Sequence, residues 1–477
     1  MRTEGKPTGH VKVTAAFPWL RAAAAVAALN ALFALSLLWQ AALPTDPVKE
    51  RVRHAFSSGE LVHEDRLHYD SRRGIHQFTD CVILKMLIDD DDVVAKAFSP
   101  GLHDAHGEQC ASLFEMVQAS FDGEVLDRSR YSRFWHGFLP LSAALLQVAD
   151  LSEIRPLLKW AVYGSLIVLV VAAGTQHLGF LAVAASVAAT GALVWAVPYF
   201  GQSLSHGPGD AFVILGIAAL AFWRERLARA EALIPFCAAY GAGVVYFEFF
   251  TGLLPTAAGL LFPFAYLVAT ARPGPEVQPA RGLMVALAAL VAFALGGLGT
   301  LAAKQALSLA LVDRGAIDVF AGQLSYYTSM VPEDIRANIL EKHSYLPEWL
   351  VNHWLVVLLL PFGSFLWYAD SLTYGMRSAG LLVYGASGLA WLLAAVLAVS
   401  RKNRRRQVDF LAFVAGASIV PLWTIVFPTH TILHADYIVR IMIVPISLGW
   451  AALLWQVLAG RILRSAPSRA AASEGGH

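Results

Sequence analysis

Two histidines four residues apart, His430 and His434, stand six residues ahead of Arg440 in an otherwise apolar part of the chain. On a helix the two imidazoles share a face, and with the guanidinium nearby they form a cationic patch suited to a phosphate. Zinc would need a third protein ligand, and Asp436 projects elsewhere, so no metal is assigned to the pair. A second group is Asp80, which follows Thr79 at the head of an apolar run. Thr79 reads as a helix N-cap and Asp80 as an acid that offsets the helix dipole in the first turn. Asp80 also offers a carboxylate as general base toward a hydroxyl, or as ligand to a divalent cation. Glu248 lies among rings in Tyr246-Phe247-Glu248-Phe249-Phe250-Thr251. Desolvation there suits acid–base work, with snorkelling at an interface as the plainer alternative.

Between Asp127 and Gly137 the chain places Arg128, Arg130 and Arg133 beside Tyr131, Phe134, Trp135 and His136. Lipid headgroups or a bound phosphate would each compensate such a cluster. Asp89-Asp90-Asp91-Asp92 reads as a solvated charge run. Lys304 falls about 22 residues into a long apolar helix, at the outer boundary, where snorkelling or phosphate binding accounts for it. Cys81 and Cys110 share one polar segment and are a plausible disulfide pair, with two free thiols as the alternative, while Cys237 lies in a span.

The elements that must position these residues are membrane helices. Hydrophobic residues make up 57% of the 477 and charged ones 15%, so a bilayer is the solvent for most of the chain. The net charge of +1 gives no reason to expect nucleic acid as a partner. Apolar runs mark about ten spans: 20–43, 157–173, 178–199, 211–223, 233–250, 253–270, 282–312, 379–400, 408–427 and 441–458. The 282–312 run is long and should bend at Gly296-Gly297 or project beyond the bilayer. Basic clusters at the N-terminus, Arg224–Arg229, Arg272 with Arg281, Arg401–Arg406, and Arg461 with Arg464 are placed in the cytoplasm. Parity then requires that Trp354–Tyr368 does not cross, and instead re-enters or lies in the interface.

The expected organisation is a tail and uncleaved first span over 1–43 and a large extracytoplasmic loop with interfacial helices over 44–157. A bundle follows over 158–312, then a second outer region over 313–378. The C-terminal bundle with the His/Arg hairpin covers 379–464, and 465–477 is a disordered tail. The fold class is an all-α polytopic membrane protein.

In order along the chain, Thr79-Asp80, Arg133-Phe134-Trp135-His136-Gly137, Tyr246-Phe247-Glu248-Phe249-Phe250-Thr251, Lys304, and His430, His434 with Arg440 resemble the pattern of the GT-C superfamily of membrane glycosyltransferases. Within it the chain looks close to membrane proteins of bacterial polysaccharide clusters. Glu248 stands where that pattern has Asp, and the usual acidic pair behind the first span has only Glu64-Asp65 as its nearest counterpart. The resemblance implies a GT-C-like fold in the bacterial inner membrane, with the active site facing the periplasm. The donor would be a polyprenyl-phosphate sugar and the acceptor a glycan, lipid or protein. It implies Asp80 and Glu248 as catalytic carboxylates, His430, His434, Arg440, Lys304 and Arg133 around the donor phosphate, and His136, Trp135 and Tyr246 near the acceptor. No cofactor is required, and a divalent cation is left open. A transporter or flippase of lipid-linked glycans, or a polymerase or ligase using pyrophosphate-linked donors, are the alternatives.

Overall fold

A computed structural model describes residues 17–65, 77–104, 108–124, 126–176, 178–195, 197–248, 252–270, 279–312, 314–329, 333, 358, 377–400, 403–434 and 439–465. Trp354–Tyr368, expected to re-enter, lies outside the described residues except for Leu358.

The chain is an all-α polytopic membrane protein. Its first helix is α1 (Phe17–Ala41). The polar insert that follows contains α2 (Asp46–Ser57), α3 (Gln77–Leu87), α4 (Val93–Phe98), α5 (Gln109–Asp122) and α6 (Phe138–Leu146). The strands β1 (Gly101–Leu102) and β2 (Ser129–Arg130) pair antiparallel, with Gly101 opposite Arg130. The bundle continues with α7 (Leu151–Gly174), α8 (Leu178–Val194), the short α9 (Val197–Phe200), α10 (His206–Phe222) and α11 (Arg224–Leu227). Then come α12 (Ala230–Phe247), α13 (Leu253–Thr270), α14 (Pro279–Leu311) and α15 (Ala316–Thr328). Last are α16 (Arg377–Ser400), α17 (Arg404–Val426), α18 (Pro428–Leu433), a 3-10 turn at Val439–Met442 and α19 (Ile443–Ser465).

Eight of these helices are long and apolar enough to cross a membrane, and two shorter apolar ones lie at Leu178–Leu193 and His206–Phe222. Large apolar side chains point outward along them, among them Leu35, Trp160, Val171, Leu298, Leu392 and Val399. That is the surface expected when lipid, not water, surrounds the bundle.

One expected span takes a different form, and another has the length to project beyond the bilayer. The 178–199 run breaks at Trp195, whose Nε1 donates to the Arg440 carbonyl at 3.0 Å and turns the chain inward. The α14 helix runs unbroken through Gly296-Gly297 for 33 residues, about 50 Å at 1.5 Å per residue. The glycines serve packing instead. A Cβ on Gly296 would lie 2.0 Å from the Ala238 carbonyl oxygen, and one on Gly241 would lie 2.0 Å from that of Phe293. Only glycine lets α12 and α14 approach this closely.

The C-terminal part of α14 stands against the insert and fixes it. Lys304 Nζ donates to the carbonyls of Phe98 and Ser132 and to Ser308 Oγ. Gln305 Nε2 reaches the Arg133 carbonyl at 2.7 Å, and Trp135 Nε1 reaches the Thr300 carbonyl at 2.7 Å. Lys304 is fully buried, so neither snorkelling nor phosphate contact describes it. It satisfies insert carbonyls that would otherwise be buried without donors.

The acidic run keeps Asp90 and Asp92 exposed and buries Asp89, and each of its members is engaged by the protein. Arg128 binds Asp89 at 2.6 Å, Lys49 binds Asp90 at 2.8 Å, Arg130 binds Asp91 at 2.7 Å, and Asp92 caps α4 through the Val94 and Ala95 N–H groups. Two of the three clustered arginines are therefore matched by protein carboxylates. Within the insert core, Cys81 and Cys110 form a disulfide, joining α3 to α5.

Candidate functional site

A cavity of about 360 Å³ lies where the insert meets the end of the bundle. Its apolar wall comes from α3, with Phe78, Val82, Ile83 and Met86. The insert supplies Arg133, Trp135 and His136, and the bundle supplies Ser205, His206, Glu248, His430 and His434. Six of the residues expected from sequence therefore share one space: Arg133, Trp135, His136, Glu248, His430 and His434.

Each is held by its element. Arg133 donates to Gln323 Oε1 on α15 at 3.0 Å, and its guanidinium lies 5.0 Å from the Tyr131 ring. The His434 N–H bonds the His430 carbonyl at 3.1 Å, completing the turn of α18. Their rings lie 4.6 Å apart, as the spacing predicts, and Tyr327 of α15 meets the His430 ring edge-on at 4.6 Å. Thr429 Oγ1 ties this turn to the Ser329 carbonyl at 2.9 Å.

Glu248 closes α12 in extended conformation. Its Oε2 accepts from Arg440 Nη2 at 3.3 Å, while Arg440 Nη1 binds Asp210 Oδ1 at 2.7 Å. His206 Nδ1 stands 3.7 Å from Glu248 Oε1. Burial disfavours the charged form of two of the nearby histidines. The His136 imidazole is lowered to about 3 by desolvation and by the Lys304 charge. That of His434 is lowered to about 4 by desolvation, against the opposing pull of Glu248.

Four expected residues do not line the cavity. Asp80 is fully buried. Its carboxylate accepts from Arg155 Nη2 at 3.2 Å, Ser203 Oγ at 3.0 Å and the Leu204 N–H at 2.9 Å. Its neighbour Thr79 does line the cavity; it lies inside α3 instead of capping it, and its hydroxyl pairs with Ser203 at 3.2 Å. The pair thus joins α3 to the loop before α10, and a carboxylate so engaged is a poor general base. Arg440 sits behind Glu248, matched by two carboxylates instead of facing an open phosphate site. Lys304 lies behind the Ser132 backbone. Tyr246 stacks on Phe33 at 3.9 Å, pairs with Ser36 through its hydroxyl, and accepts at its carbonyl from the Gly137 N–H.

Comparison with protein-family models, curated proteins and solved structures finds no match for this chain. The site must therefore be read from its own geometry. Sequence reasoning missed His206 and Asp210, which head α10. Their signal was present: two ionisable residues four apart share a helix face just before an apolar run. It also missed Arg155 and Ser203, which reach Asp80 from across the fold. Among the described residues, no three His, Cys, Asp or Glu side chains converge as a metal site.

Proposed function

We propose that this chain is a membrane glycosyltransferase that moves a sugar from a polyprenyl-phosphate donor to an acceptor of the cell envelope. The carrying observation is Glu248, a carboxylate at the wall of the insert–bundle cavity with Arg133, His136, His430 and His434 around the same space. The attacking acceptor hydroxyl forms a bond to the anomeric carbon as the bond from that carbon to the phosphate oxygen breaks. Its proton passes to Glu248, and polyprenyl phosphate departs. Arg133 supplies the fixed positive charge toward the leaving phosphate, and His430 and His434 supply ring N–H donors. Stabilising charge that develops on the leaving group is commonly the larger catalytic contribution. Asp80 is assigned a structural role, and Arg440 the role of orienting Glu248. The face carrying the insert is proposed to be the periplasmic side of the inner membrane.

A transporter would set paired charges near the midplane on broken helices. Here Asp210 lies in the second turn of α10, Glu248 caps the end of α12, and Arg440 precedes α19. All three gather at the insert end of the bundle, which favours the enzyme.

The test is mass spectrometry of polyprenyl-linked lipids and envelope glycans from cells carrying wild type, Glu248→Gln or Arg133→Gln. Both variants should accumulate one lipid-phosphate monosaccharide and lose one sugar from a glycan. Accumulation of a pyrophosphate-linked oligosaccharide would instead assign a polymerase or ligase. An unchanged lipid pool, with both variants normally inserted, would discard the transferase.

A further inference from the structure

One guanidinium serves two carboxylates beside the cavity. Arg440 is held more closely by Asp210, at 2.7 Å, than by Glu248, at 3.3 Å. Only Glu248 lines the cavity, and Asp210 is the more deeply buried of the two. An arginine given wholly to Glu248 would hold it as a permanent carboxylate and make it a weak proton acceptor. Here the cation is drawn to the far side, and the second negative charge opposes ionisation of the first.

We propose that Asp210 is a positioning residue, acting through Arg440, that keeps Glu248 able to take up and release a proton. The use of that proton in transfer rests on the reading above; the charge arrangement does not. Among the described residues, four groups bear on Glu248: Arg440 from the turn before α19, His206 and Asp210 from α10, and His434 after α18. Replacing Asp210 by its amide removes a repelling charge and frees the Nη1 side of Arg440. Both changes make Glu248 hold its proton less tightly, so they add.

The measurement is labelling of Glu248 by dicyclohexylcarbodiimide across a pH series, read by peptide mass spectrometry on the full-length protein in detergent. This apolar reagent adds to protonated carboxyls. In Asp210→Asn the pH of half-labelling should fall by at least about one unit, roughly a tenfold loss of proton affinity. Asp210→Glu, which keeps the charge, should stay near wild type. An unmoved midpoint in Asp210→Asn, with wild-type melting, would overturn the proposal. Should that variant fail to fold, the wild type decides. Two carboxyls across one cation take up protons in two separated steps that belong to the pair, so labelling summed over Glu248 and Asp210 should rise in two steps across the pH series. A single common midpoint at the ordinary carboxylate pH would also overturn it. Because labelling needs no substrate, the outcome is separate from the lipid assay of Glu248→Gln.

Discussion

Replacing Asp80 by Asn keeps the shape of a side chain that is fully buried but removes its charge. Arg155, 3% exposed, then keeps the Glu60 carbonyl at 2.9 Å but has lost the carboxylate that neutralised it. Breaking a buried ion pair from one side costs ~3–5 kcal/mol, because the remaining charge stays desolvated. With an unfolding entropy of ~2.1 cal/mol/K per residue, that cost lowers Tm by about 4 °C if the 477 residues melt as one unit. Melting followed by intrinsic fluorescence in detergent, together with limited proteolysis of the insert, measures it. The double variant Asp80→Leu with Arg155→Met should recover most of the loss, since an apolar pair can replace a buried ion pair at little cost. The reasoning is refuted if Asp80→Asn melts like wild type yet abolishes sugar transfer. Asp80 would then be the catalytic base that its position in the sequence first implies.

Two further outcomes follow from the packing and the buried imidazoles. Gly296→Ala places a Cβ against the Ala238 carbonyl and should push α14 off α12, lowering Tm and exposing the insert to protease. Gly322→Ala, with nothing within 4 Å, should be neutral, and equal effects would contradict the packing argument. His136 and His434 have folded values of about 3 and about 4 against an unfolded value near 6.5. Between those limits the unfolded chain binds more protons, so stability is full above pH 6.5 and falls as the pH drops toward 4 and then 3. Each histidine contributes a slope of up to ~1.4 kcal/mol per pH unit. His136→Gln should flatten the acid side of a Tm–pH series, and an unchanged slope would exclude His136 as its source.

The helices were legible because lipid imposes runs of apolar residues long enough to cross it, and α14 begins and ends within three residues of its run. What the runs conceal is where a helix uses its ends. The α10 helix starts at His206, five residues before its apolar stretch, and those five residues bring His206 and Asp210 to Glu248. Sequence spacing correctly paired the rings of His430 and His434, because a single turn carries that information. It could not distinguish Asp80, matched by Arg155 75 residues away, from a carboxylate facing a cavity. Both look like an acid at the head of an apolar run. The same holds for Arg128 and Arg130, whose partners are also acids of the insert. Local pattern gives the type of a charge, and only the tertiary fold tells whether a protein group has already answered it.

The four consecutive aspartates carry a consequence for sequence change. Each answers a different partner: Arg128 on the approach to β2, Lys49 on α2, Arg130 on β2, and the first N–H groups of α4. Exchanging one of them releases that residue's own partners and leaves the other three aspartates in place. Removing one shifts the register of those that follow, so each meets its neighbour's partner at the wrong distance. This corner should therefore tolerate a point change far better than a single-codon deletion, although the run of identical residues looks like the place where one would matter least.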